Sequence, residues 1–533
     1  MGFCLGVYVV PMLNLPTFIN EPYTDFTIQE NIDAYNDAIK RMRDSFGQTH
    51  KLCIGGEWVD SETGETFAST NPSDPNEVIG YFSKANENDA EKCMVAAKGA
   101  FQIWSKKSPE DRAQVLLNAA ALMRERKHDF SAMMSLEEGK NWPEADGDTA
   151  ESIDFLEFYA REIIRYSNKS GDVTPSPVGD HNWIRYFPLG VGVIIPPWNF
   201  PNAILAGMTT AAVVCGNTVI LKPSSDAPMI GLMVFNLLVE AGLPPGVCNW
   251  LTGPGAVAGD YLVNHPDTRF ISFTGSMEVG CKIYESASKL NGNQKWLKRV
   301  VAEMGGKDAM LIDRDADLEL ASSHIVAAAY GYQGQKCSAC SRALIHQDIY
   351  DELVPMIIEK TKAIKISSAE ENPNMGPLIN KSSLNKCREY IEIGKQEGEL
   401  LLGGNSIELN GGWFLEPTIF GGISPGDRLE QEEIFGPILA LVKVNSYRHG
   451  VEVFNGTIFG LTGSYVGTEH LNDAPNDLHC GNLYINRKCT GALVDVEPFG
   501  GYNMSGTCSK AGGRDYLGLF MQMKAVSERP LTK

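Results

Sequence analysis

The sequence predicts an α/β fold built on parallel sheets, and three observations carry that expectation. Short apolar runs at 190–195, 218–221, 247–251, 270–273 and 309–312 alternate with helical segments. Strands of this kind are buried on both faces and joined by helices, which is how parallel sheets are made. The length, 533 residues, exceeds what one hydrophobic core usually covers, so two or three domains are expected. Composition is that of a globular chain, with 43% hydrophobic and 21% charged residues, 53 glycines and 28 prolines, which argues against disorder or a fibre.

Residues 21–50 are polar with scattered aromatics, the text of a peripheral helix. Cys53-Ile54-Gly55-Gly56-Glu57-Trp58-Val59 then reads as a hairpin turning at Gly55-Gly56. From Asp89 to Trp104, apolar residues recur at Cys93, Ala97, Ala100, Phe101 and Trp104, one face of an amphipathic helix. Ser108-Pro109-Glu110-Asp111 starts another: Ser108 can cap it, Pro109 fits the first turn, and the acids suit the positive end of the helix dipole. Residues 167–182 hold Pro175, Pro177 and two glycines, and predict an arm or linker. The strand runs follow, and a parallel sheet binds ligands at the carboxyl ends of its strands.

Lys and Arg total 46 against 66 Asp and Glu, a formal charge of −20 that repels phosphate backbones and acidic membrane surfaces. Neither nucleic acid nor a membrane is an expected partner. The twelve cysteines are scattered, without the density of a secreted disulfide scaffold, so a reducing cytoplasm is expected. Residues 1–16 contain an apolar run with no Lys or Arg before it, unlike a signal or transit peptide, and are read as an extension of unassigned role. No apolar run reaches the length of a membrane span.

Several turns carry chemistry. Gly331-Tyr332-Gln333-Gly334-Gln335-Lys336-Cys337-Ser338-Ala339-Cys340-Ser341-Arg342 sets Cys337 among glycines, hydroxyls and a lysine. A nearby cation or backbone N–H groups would favour the nucleophilic thiolate, while the plainer reading is a small buried hydrophobe. Cys337 and Cys340 also form a C-x-x-C, a redox dithiol or half a zinc site. No second such pair and no histidine at ligand spacing accompanies it, so no metal is expected. Asn199, between the prolines of Pro196-Pro197-Trp198-Asn199-Phe200-Pro201, is an oxyanion donor or a turn former. Lys222 could reach a ribose or phosphate, or be a solvated surface lysine. Phe273-Thr274-Gly275-Ser276 opens a helix whose N–H groups suit a pyrophosphate, although Gly-x-Gly-x-x-Gly is absent. Glu303, just before Gly305-Gly306, is a general base or a salt-bridged acid. Glu433-Ile434-Phe435-Gly436-Pro437 could hold a sugar hydroxyl and a flat ring, or be a solvated turn.

Taken in order, Pro197-Trp198-Asn199-Phe200, Lys222-Pro223, Phe273-Thr274-Gly275-Ser276, Glu303-Met304-Gly305-Gly306-Lys307, Gly334-Gln335-Lys336-Cys337 and Glu433-Ile434-Phe435-Gly436-Pro437 resemble the aldehyde dehydrogenase superfamily. The finer text is similar to the branch that oxidises L-glutamate γ-semialdehyde. It includes Glu138-Gly139-Lys140-Asn141-Trp142, Gly481-Asn482-Leu483-Tyr484-Ile485-Asn486-Arg487, Thr490-Gly491-Ala492 and Pro498-Phe499-Gly500-Gly501.

The resemblance implies an extension (1–20), a Rossmann-type parallel-sheet cofactor domain (21–162 and 187–302) and an α/β catalytic domain (303–488). It also implies a small β oligomerisation arm with the C-terminal segment (163–186 and 489–533), hence a homodimer or higher homo-oligomer. By the same resemblance Cys337 attacks a small semialdehyde, Asn199 and the Cys337 N–H hold the oxyanion, hydride passes to NAD, and Glu303 activates the hydrolytic water. Lys222 should hold the adenine ribose, Gly275 and Ser276 the pyrophosphate, and Glu433 the nicotinamide ribose, with Phe435 beside the ring and Trp198 in the same site. Many members carry glutamate where Ser225 stands, so the serine admits NADP beside NAD. Ser338 with the backbone of Gly491 and Ala492 should bind the substrate's far carboxylate, Phe200 and Phe499 flank its chain, and Glu137 lines the entrance. The text departs from the family at 465–480, which is short and whose Asn472-Asp473-Ala474-Pro475-Asn476-Asp477 would break the helix expected there; Cys489 and Cys508 are further departures.

Overall fold

The computed structural model describes residues 15–169 and 176–531. Most of the extension, residues 1–14, and part of the proposed linker lie outside them. Two seven-stranded sheets organise the chain. In the first, Arg299–Glu303, Thr268–Thr274, Val191–Ile195, Thr218–Leu221 and Cys248–Trp250 lie side by side and parallel. The hairpin Leu52–Ile54 and Glu57–Val59 closes one edge antiparallel, turning at Gly55-Gly56 as expected.

Ala309–Ile312, in the segment expected to form the catalytic domain, lies outside the first sheet. It pairs with Arg342–His346 and Thr462–Val466 in the second sheet, which runs Glu399–Leu402, Thr418–Gly421, Ile438–Val444, Arg342–His346, Ala309–Ile312, Thr462–Val466, Asn482–Ile485. Four consecutive apolar residues say that a strand is buried but not which sheet receives it. Only Glu399–Leu402 runs antiparallel to its neighbour among these seven.

Helices form where caps and spacing predict them. Glu87–Trp104 starts at a capping box formed by Asn86 and Asp89, and buries Cys93, Ala97 and Trp104. Pro109–Glu125 is capped by Ser108, whose hydroxyl accepts the Asp111 N–H at 3.0 Å. Trp142–Lys169 continues seven residues beyond position 162, so the segment from 163 is helix before it is arm. The arm itself is an antiparallel ribbon, His181–Pro188 with Met521–Glu528. Between positions 465 and 480 the expected helix is reduced to Ala474–Asp477, yet Ala474, Leu478 and Cys480 are buried in the second domain's core.

The C-terminal segment crosses back to the first domain. Val494, Tyr516, Leu517, Phe520 and Met521 join its largest core, and the Arg299 guanidinium donates to the carbonyls of Gly518 (3.1 Å), Leu519 (2.5 Å) and Met521 (3.0 Å). Asn217 donates to Phe520 O at 2.9 Å.

Arg342, at the start of the strand that follows the Cys337 loop, is buried. It donates to Lys307 O (2.9 Å), Val453 O (3.0 Å), Phe454 O (3.2 Å) and the buried Glu430 carboxylate. Arg342→Met leaves Glu430 without a counter-charge and should cost about 3–5 kcal/mol. A fall in the urea midpoint of unfolding relative to wild type is the expected readout.

Candidate active site

The two sheets are joined by Glu303-Met304-Gly305-Gly306-Lys307, and the turn works because Gly305 and Gly306 carry no side chain. A Cβ on Gly305 would sit 2.2 Å from Glu433 Oε2, and one on Gly306 would sit 2.4 Å from the Cys337 carbonyl. Instead the Gly306 N–H donates to Glu433 Oε1 at 3.0 Å. Three stretches that are remote in sequence therefore meet at one point.

The Cys337 loop is held in an uncommon conformation. Tyr332 and Gln333 have φ of 50° and 57°, in the left-handed region that non-glycine residues seldom adopt. The Tyr332 hydroxyl donates to Glu138 O at 3.2 Å, and the Gln333 amide donates to Gly139 O at 3.0 Å and Pro377 O at 2.8 Å. Gly334, at φ 67°, passes so close to Gly436 that a Cβ would lie 2.4 Å from its carbonyl oxygen. Asn199 is buried and donates one amide hydrogen to Gln335 O at 3.1 Å, which leaves its second for another acceptor.

Electrostatics correct one expectation. Lys336 does not favour a Cys337 thiolate, because its ammonium pairs with Glu144 at 2.7 Å. Burial pushes the Cys337 thiol well up, and the charges of Asp308, Glu433 and Glu303 add to this, against a hydrogen bond from the Ser338 N–H. The resting thiol is neutral. Burial also raises the Glu303 carboxyl, to about 7, against hydrogen bonds from Ser509 and Gly501 that favour its ionised form.

A groove of about 540 Å³ runs from Cys337 along the carboxyl ends of the first sheet's strands. Trp198, Asn199, Lys222, Ser225, Gly275, Ser276, Glu433 and Phe435 all line it. Ser276 caps the helix Met277–Ser288, whose first turn opens on the groove and offers N–H groups to an anion. Lys222 is buried, which lowers its ammonium to about 8; among the described residues its hydrogen bond is to Pro223 O at 3.3 Å, so it retains donors for a ligand. Phe435, at φ 65°, meets Trp198 edge to face at 5.5 Å. An anion-binding helix end, a lysine free of carboxylates and an aromatic pair beside a thiol fit a dinucleotide.

On the other side of Cys337, the Phe200 ring lies beneath Lys140 Nζ at 3.9 Å and edge-on to Tyr332 at 6.3 Å. Ser338 is buried, and its carbonyl accepts from Thr462 Oγ1 and Cys489 Sγ, both at 3.4 Å. Gly491 has φ 88° and Ala492 is half-buried. Half-buried Phe499 pairs through its backbone with Ala511, at 2.9 and 2.7 Å.

Glu137 is not at an entrance. It is buried, and its carboxylate accepts from Ser69 Oγ (2.6 Å) and from the N–H groups of Met229 and Ile230 (both 2.9 Å), at the start of the helix Pro228–Glu240. A carboxylate among free helix N–H groups is a structural cap. The sequence reading also passed over three groups. Lys140 and Asp148 form a buried ion pair at 2.7 Å beside Phe200. Glu151 faces Asp148, Asp154, Lys140 and Lys336, and burial raises its carboxyl to about 8. Ser509 holds Glu303, donating from its hydroxyl at 2.6 Å and from its N–H at 3.2 Å. The first had a signal in Glu138-Gly139-Lys140; the last, far from any recognisable run, had none.

A sequence profile described as the aldehyde dehydrogenase family matches residues 58–526. The 1-pyrroline-5-carboxylate dehydrogenase of Geobacillus sp. (strain WCH70) is 52% identical over 512 residues, covering 96% of this chain and 98% of its own length. The 1-pyrroline-5-carboxylate dehydrogenase from Thermus, solved with bound NAD, aligns with a TM-score of 0.95 at 48% identity, over 97% of this chain and 100% of that one. More distant is betaine aldehyde dehydrogenase from Staphylococcus aureus in complex with NAD+, with a TM-score of 0.87 and 28% identity, over 93% and 98% of the two chains. With the family profile matched from the first sheet's edge hairpin to the ribbon at the C-terminus, and relatives aligned over nearly the full length, the chain belongs to the aldehyde dehydrogenase family.

Proposed function

We propose that the chain oxidises L-glutamate γ-semialdehyde, the open form of Δ1-pyrroline-5-carboxylate, to L-glutamate with NAD as acceptor, the second step of proline breakdown. Relatives that share half its residues carry the name of that enzyme, and one was solved with NAD. The observation that carries the chemistry is a thiol and an amide donor in one groove, with the Glu303 carboxyl, raised to about 7, close enough for its charge to act on that thiol.

Cys337 loses its thiol proton to solvent, its Sγ adds to the aldehyde carbon, and the oxygen that gains charge is held by the free N–H of Asn199 and the backbone N–H of Cys337. Bound in the groove, NAD supplies a hydride acceptor and a positive charge beside a thiol that its own surroundings keep neutral. Lys222, Ser225, Gly275, Ser276, Glu433, Phe435 and Trp198 would hold it. Loss of hydride from the former aldehyde carbon leaves a thioester on Cys337. Glu303 takes a proton from water, the hydroxide oxygen adds to the thioester carbon, the C–S bond breaks, and the thiolate returns as the carboxylate product leaves. Ser338, Gly491 and Ala492 would receive the substrate's far carboxylate, with Phe200 and Phe499 along its chain. Ser225 puts no charge against a 2′-phosphate, so NADP is a second acceptor.

The ribbon His181–Pro188 with Met521–Glu528 is proposed as an oligomerisation arm. A two-stranded ribbon is marginal by itself, and most of Met521–Glu528 is exposed. The eleven described cysteines are free thiols, which suits the cytoplasm; among the described residues, no helix is long and apolar enough to cross a membrane.

Three outcomes test this reading. Wild type should reduce NAD with glutamate semialdehyde and Cys337→Ala should not, while succinate semialdehyde, one carbon shorter and without the amino group, should lose about 10²-fold or more in kcat/KM; equal values for the two aldehydes would remove the substrate assignment. Glu303 acts only when ionised, so the hydrolytic rate should rise with pH through about 7, and Glu303→Gln should flatten that limb and leave labelled acyl-enzyme detectable by mass spectrometry. Ending the chain at Phe520 should give monomers by light scattering.

A further inference from the structure

The loop that carries Phe499 also grips Glu303. Phe499 and Ala511 pair through their backbones, and between them the chain folds over the Glu303 carboxylate. Gly501 N–H reaches Glu303 Oε2 at 3.1 Å, while Ser509 offers both its N–H, at 3.2 Å, and its hydroxyl, at 2.6 Å, to Oε1. A Cβ on Gly500 or Gly506 would come within 3.0 Å of the same carboxylate oxygens, so the loop is shaped to close on this group. Lys510 ties the loop down, donating to Gly481 O (2.5 Å), Gly500 O (2.9 Å) and Asn482 Oδ1 (3.2 Å).

We infer that Ser509 is the positioning residue for Glu303: its hydroxyl fixes which carboxylate oxygen faces the thioester water, and ties the base to the loop bearing the substrate contact Phe499. The inference rests on the proposed role of Glu303. Two backbone donors would hold the carboxylate in the loop but leave Oε1 with a single partner, and the Ser509 hydroxyl is the one side-chain hydrogen bond to it among the described residues. The titratable groups that face Glu303 are Lys510 from the same loop, Cys337 from the nucleophile loop and Tyr516 from the C-terminal segment. Of these, Lys510 favours the ionised carboxylate along with Ser509. Removing a hydroxyl that donates to an ionised carboxylate raises that carboxyl's pKa.

In Ser509→Ala the alkaline-rising limb of the hydrolytic rate should move up by about one pH unit, and its plateau should fall about tenfold. Hydride transfer makes no use of Glu303, so the first turnover should keep its rate and a burst of NADH should precede a slowed steady state. Ser509→Thr retains the donor and should restore both limb and plateau, which loss of packing alone would not predict. If Ser509→Ala does not fold, Ser509→Cys, with a weaker donor of similar size, should show a smaller shift in the same direction. A wild-type midpoint with no burst in Ser509→Ala, or Ser509→Thr as impaired as Ser509→Ala, overturns the inference. Hydrolysis of 4-nitrophenyl acetate in the presence of NAD, which acylates Cys337 without semialdehyde, reads the same limb; a wild type that cleaves this ester but not the semialdehyde defeats the substrate assignment and leaves the role of Ser509 to be judged on the ester.

Discussion

Everything in the site depends on a passage too narrow for a side chain. The chain leaves the first sheet at Glu303 and enters the second at Ala309 by threading Gly305 and Gly306 between the Glu433 carboxylate and the Cys337 carbonyl. Close backbone approach of this kind fixes distances more tightly than side-chain contacts do, because backbone has no rotamers to relax. Glu303 before the passage, Cys337 beside it and Glu433 across from it are thereby set by main-chain geometry.

The price of bringing these groups together is charge. Asp308, Glu433 and Glu303 all act on the Cys337 thiol, and burial strengthens each interaction by removing water. Lys336 and Lys140 do not offset these charges, because they pair with Glu144 and Asp148.

Much of this was legible in the sequence, for local reasons. Strands announced themselves as short apolar runs, Ser108 and Pro109 as a helix start, and the groove residues as odd chemistry at strand ends, where parallel sheets bind ligands. What stayed hidden was long-range. Nothing in Ala309–Ile312 says which sheet receives it. Glu137 looked available as a single letter, but three donors from two other segments consume it. Lys336 reads as an activating cation until Glu144, remote in sequence, is placed against it. The contact of Ser509 with Glu303 joins residues 206 apart in sequence and has no periodicity or motif to betray it.

The return of the C-terminal segment to the first domain bears on how the protein is made. Arg299 and Asn217 find their carbonyl acceptors among residues 518–521, and Tyr516, Leu517 and Phe520 fill the same core. Those residues leave the ribosome only after every strand of the second sheet has been made. The core around the first sheet therefore waits, partly open, while the second sheet is synthesised, and folding cannot proceed strictly in chain order. A nascent chain cut before residue 500 would hold the whole Cys337 loop yet lack the Gly501 and Ser509 groups that hold Glu303.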